Sequence, residues 1–351
     1  MRLSSPWFLR CRPAAGASVS RRWPCDADVP RSTRGGLRLT LLGAAAAVVS
    51  GCANSRQSFL TPDGPVAAAQ YHHLVQVVLI VLIVVIPVIV GVPLIAWRYR
   101  AGNTRARYTP DWSFSTALEW PMWLVPVAVV VALSVLVWKN AHRLDPYRPI
   151  ASVRAPLRVD VVGLDWKWLF IYPEYHIASV GELAFAQDRP LSLKLTSDTV
   201  MQSFMIPALG GQIYAMPGMV TRLNLAAYRT GRFVGMNTQY DGGGFDAEHF
   251  QAVAMSAQGF ERWVREVEHS GVGLTGRGYR ILGRDSTAQQ VRAEFGDSAM
   301  PAGVTYFNGV ASGLFEHIVQ RYRGGQALAR TAQPGTAVYG AGRGTKGGLS
   351  R

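Results

Sequence analysis

Long apolar runs occupy the first part of this chain, and short alternating ones follow. Residues 74–97 (LVQVVLIVLIVVIPVIVGVPLIAW) contain no charge over 24 positions. As a helix they extend about 36 Å, enough to span a bilayer with some tilt. Pro87 and Pro93 would weaken a soluble helix but are tolerated between packed membrane helices. Residues 120–138 (WPMWLVPVAVVVALSVLVW) carry tryptophan at both ends, the pattern of an interfacial aromatic belt. From Arg158 the period changes to two, in runs such as LRVDVVGLDWKWLFIY, LSLKLTSD, SFMIPALGGQIYAM, VTRLNLAAY, GRFVGMN and HFQAVAM. With Pro217-Gly218 and Gly242-Gly243-Gly244 as turns, this predicts an all-β sandwich or barrel. Near the C-terminus, Val310, Leu314, Phe315, Ile318 and Val319 form a helical stripe, predicted to pack against the β domain.

An earlier apolar run, 37–50, has fourteen residues after a basic flank. That is too short to span a bilayer and matches the apolar part of a secretory leader. It ends in Val49-Ser50-Gly51-Cys52, which resembles a bacterial lipobox. Small residues fit a peptidase site there, and the Cys52 thiol would take a diacylglyceryl group. A plain signal peptide that happens to end near Cys52 is the alternative. Residues 1–36 are long and Arg-rich for a leader, so either translation starts further on or the leader is unusual.

Composition narrows the choice of function. The chain has 351 residues, 49% of them hydrophobic, and a mean hydropathy of +0.11. These values suit a few membrane spans joined to a folded domain. The net charge of +14 could suggest nucleic acid. It is concentrated, however, in residues 1–36, in the loop 98–119 and in the tail after 320, not on a folded face. Nucleic acid is therefore not an expected partner. Arg98, Arg100, Arg105 and Arg107 make the loop cytoplasmic by the positive-inside rule, which puts 52–73 and everything after 139 outside. The cysteines are Cys11, Cys25 and Cys52, so nothing beyond them can form a disulfide or a thiolate metal site.

Two segments carry a specific resemblance. Asp198-Thr-Val-Met-Gln-Ser-Phe-Met-Ile-Pro-Ala-Leu-Gly-Gly, continued by Gln212-Ile-Tyr-Ala-Met-Pro-Gly218, resembles the cupredoxin-type domain of haem–copper oxidase subunit II. The segment from Gly235 to Phe250 resembles that domain's metal loop. In the cytochrome-c-oxidising branch the loop carries cysteine, glutamate, cysteine, histidine and methionine, with a further histidine on an earlier strand. Soft thiolates and imidazoles suit a dinuclear copper pair. The matching positions here are Asn237, Gln239, Asp241, Phe245 and Glu248, with Gln202 on the earlier strand. His249 is out of register for the lost histidine and reads as a strand residue. Loss of these ligands resembles the quinol oxidase branch, and Val304-Thr305-Tyr306-Phe307 with the stripe after it resembles that branch's C-terminal motif. Asp165-Trp166-Lys167-Trp168 matches the family's aromatic segment. Two tryptophans at i and i+2 would share one strand face, expected at the seam with the catalytic subunit. Glu119, Trp123 and Pro126 match the family pattern at the start of the second span. There the glutamate sits at the cytoplasmic mouth of a proton path, although a solvated helix-start carboxylate explains Glu119 equally well.

The resemblance implies a two-helix membrane hairpin followed by a cupredoxin-like β-sandwich or barrel with a short helical extension. The expected divisions are a leader (1–51), an extracytoplasmic segment (52–73), spans at 74–97 and 120–138 around the loop 98–119, a periplasmic domain (139–270), the C-terminal motif (271–323) and a disordered Gly-rich basic tail (324–351). The chain would be a non-catalytic, inner-membrane subunit of a proton-pumping ubiquinol oxidase, serving assembly and support. It would bind no cofactor itself. Haems, copper and the quinol site would belong to catalytic subunit I, its partner alongside other subunits and membrane lipids. A cytochrome c oxidase subunit II with a degenerate copper site, or a free-standing cupredoxin-fold lipoprotein, are the alternatives.

Overall fold

A computed structural model describes residues 58–100, 102–106, 113–187, 189–269, 272–295 and 303–322. Cys52, the leader and the Gly-rich tail lie outside the described residues. The two apolar runs form helices α1 (Pro65–Arg98) and α2 (Thr116–Arg143), each long and apolar enough to cross a membrane. Both extend beyond the expected spans because polar residues continue the helical backbone at their ends. At 34 residues, α1 reaches about 50 Å, more than a hydrocarbon core of about 30 Å requires. Its outer turns use that surplus to dock on the β domain. The Ala67 amide donates to the Leu209 carbonyl at 3.1 Å and the Asp63 amide to Ala208 at 2.8 Å. Asp63 also accepts from the Tyr228 amide through its carbonyl and pairs with Arg229 through its carboxylate.

Two sheets form the outward domain. The first has six strands in the order β11-β3-β2-β1-β5-β8, and the second five in the order β4-β10-β9-β6-β7. Their ranges are β1 Leu157–Leu164, β2 Lys167–Tyr172, β3 Ile177–Val180, β4 Glu182–Ala186, β5 Leu191–Ser197, β6 Gln202–Ile206, β7 Gly210–Ala215, β8 Thr221–Leu225, β9 Gly231–Asn237, β10 His249–Met255 and β11 Thr305–Phe307. β1 runs parallel to β5, and β4 parallel to β10; the remaining pairs are antiparallel. Pro217-Gly218 makes its expected turn: the Met219 amide bonds to the Met216 carbonyl, and Gly218 takes a φ of +73° that suits glycine.

The first sheet is buried on both faces. Val159, Val161, Trp168 and Phe170 point toward the second sheet, where Phe204 and Phe250 meet them. Val162, Leu164, Leu169 and Ile171, one residue out of phase, point the other way. A helical layer covers this second face: α4 (Gly276–Leu282), α5 (Ala288–Phe295) and α6 (Leu314–Arg321) contribute Leu282, Val291, Phe315, Ile318 and Val319. The stripe at 314–319 thus packs where the sequence placed it. Residues 271–323 do not form a separate motif, however, because β11 joins the first sheet beside β3. Helix α3 (Ala257–His269) buries Phe260, Trp263, Val264 and Val267 in the main core. Their i, i+3, i+4, i+7 spacing gives the helix one apolar face.

A two-sided sheet makes the C-terminal layer part of the core. Ile318→Ala should destabilise the domain by about 2–5 kcal/mol, whereas the exposed neighbour His317→Ala should change it by less than about 0.5 kcal/mol. Denaturant midpoints of the two full-length variants in detergent check this difference.

Candidate functional site

The loop between β9 and β10 sits where three strand ends meet. Gln202 opens β6, Asn237 closes β9, and the connection between them and β10 passes through a 3-10 turn at Phe245–Ala247 before Glu248. The β1–β2 hairpin forms the opposite wall. It turns through Asp165 and Trp166, with Trp166 at a left-handed φ of 61°. The indole lies against Gly242 and Gly244, where a Cβ at either position would press into the ring. Gly163 is equally constrained, because Gln202 Oε1 occupies the space a side chain would need.

Amides and carboxyls now fill the loop's interior. Asn237 Oδ1 accepts from the Ser203 amide at 2.9 Å and the Gln239 amide at 3.0 Å, and its Nδ2 donates to Glu248 Oε2 at 2.8 Å. Gln202 Nε2 donates to the Leu164 carbonyl at 2.8 Å and to Asp241 Oδ2 at 2.9 Å. Glu248 is 1% exposed. Burial, then hydrogen bonding to Asp241 and repulsion from it, push its carboxyl up to about 10, against smaller opposing effects of Asn237 and Lys167. Glu248 therefore carries a proton at neutral pH. Its Oε1, Asp241 Oδ1 and Gln202 Oε1 are buried without a hydrogen-bond partner.

Four of the six sequence-predicted positions, Gln202, Asn237, Asp241 and Glu248, thus form one network. Gln239 joins it through its backbone, and Phe245 instead packs its ring on Tyr240 at 5.7 Å. His249 begins β10 on the exposed side, as its register implied. The tryptophan expectation is corrected. Trp168 lies in the core, edge-on to Phe204, while Trp166 sits in the turn, whose left-handed residue breaks the alternation. Glu119 lies in the first turn of α2, half-buried, its amide bonded to the Ser115 carbonyl.

Two supports were not legible in the sequence, because their C-terminal partners lie 81 to 124 residues away. Lys167 Nζ donates to the carbonyls of Asp165, Arg284 and Ser286 at 2.7–2.9 Å. Asp198, completely buried, accepts from the Tyr279 hydroxyl at 2.7 Å, from Arg321 Nη1 at 3.0 Å and from the Tyr322 hydroxyl at 2.8 Å. Both fasten the C-terminal layer to the loops around the site.

This donor set does not fit a copper pair. It offers only amide and carboxyl groups, and no thiolate or imidazole at any matching position. Among the described residues no three His, Cys, Asp or Glu side chains form a metal-holding group. Fold and site together define a protein with two helices apolar enough to span a membrane and a two-sheet β domain whose strand-end loop is held by side-chain hydrogen bonds.

No protein-family model matches the chain. It is 43% identical over 279 residues to the cytochrome bo(3) ubiquinol oxidase subunit 2 of Pseudomonas aeruginosa, covering 80% of each chain. It is 38% identical over 298 residues to the ubiquinol oxidase subunit 2 of Acetobacter aceti, covering 84% of this chain and 92% of that one. A periplasmic domain of cytochrome oxidase subunit II from Bradyrhizobium japonicum aligns with 22% identity and a TM-score of 0.31, covering 33% of this chain and 96% of that domain. The chain belongs to the ubiquinol oxidase subunit 2 family.

The network has a pH signature. The unfolded chain releases the Glu248 proton above its ordinary value of 4.5, while the folded chain keeps it until about 10, so stability falls as pH rises between them. Glu248→Gln, an isosteric neutral group, should flatten that slope in denaturant titrations run at pH 5, 7 and 9. An unchanged slope would place the proton elsewhere.

Proposed function

We propose that this chain is the electron-carrier-free subunit of a ubiquinol oxidase complex in a bacterial inner membrane, with its β domain in the periplasm. The complex would oxidise ubiquinol, reduce oxygen to water and translocate protons. Haems, copper and the quinol site would reside in the catalytic partner. The observation that carries this reading is the hydrogen-bonded Gln202–Asp241–Glu248–Asn237 network at the matching metal positions. A domain that collects electrons from a soluble cytochrome needs a redox centre; a quinol, dissolved in the lipid, can deliver electrons to a membrane-embedded partner directly. The work left to this chain is assembly and cover of the catalytic subunit's outward face.

Two residue roles extend the proposal. Cys52 would carry the diacylglyceryl group, anchoring the N-terminus on the same side as the β domain. Glu119, in the first turn of α2 at the cytoplasmic end, would open a proton path into the partner.

Detergent extraction should yield this chain with haem and with quinol-dependent oxygen uptake, and metal analysis should find no copper beyond that of the catalytic subunit. A haem-free monomer would favour a free-standing lipoprotein, and purple copper absorption from the β domain a cytochrome c oxidase. Glu119→Gln should lower turnover or the proton yield per electron; both unchanged would remove the proton-path role.

A further inference from the structure

A cavity of about 620 Å³ lies between the outward ends of the two helices and the sandwich. Gln70 of α1, Arg143 at the end of α2, Asp145 and Arg148 of the following segment, Gln212 of β7 and Asn224 of β8 line its polar parts. The roof is fastened to the sheet, because the Asn224 amide and Nδ2 both donate to the Pro146 carbonyl. Asp145, the one acid in the lining, accepts from the Tyr147 amide at 2.9 Å and so serves its own turn. Gln212 Oε1 accepts from the Thr238 hydroxyl, which leaves its amide hydrogens as donors. The start of α1, with the positive end of its dipole, also borders the space. Two guanidiniums, amide donors and a helix start against one occupied carboxylate select an anion.

Depth specifies which anion. Trp138 closes the apolar run of α2 at the outer interface, and Arg143 lies five residues further along, about 7.5 Å outward, at the level of lipid headgroups. One turn inward from Gln70 on the same face is Leu74, and exposed Val75, Val78, Val135 and Val137 continue the apolar helix surface below. A ligand that places an anion in the cavity can therefore lay hydrocarbon along the helices. We propose that this cavity binds the phosphodiester headgroup of a membrane glycerophospholipid, with Arg143 and Arg148 as the phosphate-binding side chains. Planar guanidiniums suit the paired oxygens of a phosphodiester, and a lipid there would brace the β domain against the membrane.

Native mass spectrometry of the detergent-purified complex tests this. The wild type should retain one phospholipid more per complex than Arg143→Gln/Arg148→Gln at equal haem content. Retention should weaken at least about ten-fold, as expected for the loss of charge-assisted hydrogen bonds. Arg148→Lys, which keeps the charge, should hold the lipid better than Arg148→Gln. If the double variant assembles poorly, the single variant Arg148→Gln in haem-replete complex gives the same comparison. Equal lipid retention in variant and wild type overturns the proposal. Displacement of the lipid by millimolar inorganic phosphate also overturns it, because the site would then serve free anions.

Discussion

A carboxyl group taken out of water keeps its proton, and the loop at the end of the β domain is organised around that constraint at Glu248. Asp241 and Glu248 lie in the loop at the end of the β domain where β6, β9 and β10 come together. Burial, and after it the neighbouring Asp241, leave a proton on Glu248, and the Asn237 carboxamide bonded to Glu248 ties loop to strand. Gln202 and Asn237 extend the connection to the β1–β2 hairpin and to β6. Gly163 and Gly244 lack side chains where the carboxamide and the Trp166 indole press closest. The loop keeps its shape through hydrogen bonds that need neither a redox-active ion nor an oxidising compartment.

The remainder of the domain restrains the same region from outside. Asp198 and Lys167, on loops beside the site, are held by Tyr279, Arg321, Tyr322 and the Arg284 and Ser286 carbonyls of the C-terminal layer. That layer in turn buries the second face of the first sheet. At the opposite end, the Asp63–Ala67 segment bonds to the β6–β7 connection and to Tyr228, so helix α1 enters the domain at a fixed angle. The start of helix α1, the two sheets and the C-terminal layer are therefore joined by direct hydrogen bonds and shared core.

Much of this was legible in residue order. Uniform apolarity identified both helices, and period-two runs marked β1, β2 and β5 to β10, because each physical environment imposes its own repeat. Motif spacing marked Gln202, Asn237, Gln239, Asp241, Phe245 and Glu248, but not the hydrogen bonds that Gln202 makes to Asp241 and Asn237 to Glu248. Short strands β3 and β4 escaped because IASV and ELAFA are buried throughout and show no alternation. The two-sided burial of β1 and β2 was latent in VDVVGL and KWLFIY, whose apolar residues occupy both phases, but its cause lay more than a hundred residues away. Pairings such as Asp198 with Tyr322 depend on tertiary closure and leave no local signal. The tryptophan assignment failed because one left-handed residue, Trp166, shifts the hairpin out of simple alternation.

The loop's hydrogen bonding rests on a proton held at Glu248. Infrared spectroscopy of the complex with isotope-labelled glutamate observes that proton directly, through the carbonyl stretch of a carboxylic acid. The account predicts a labelled carboxylic-acid band that persists from pH 6 to pH 9 and is absent from Glu248→Gln. A spectrum with no such band, or one unaltered by the substitution, would contradict it.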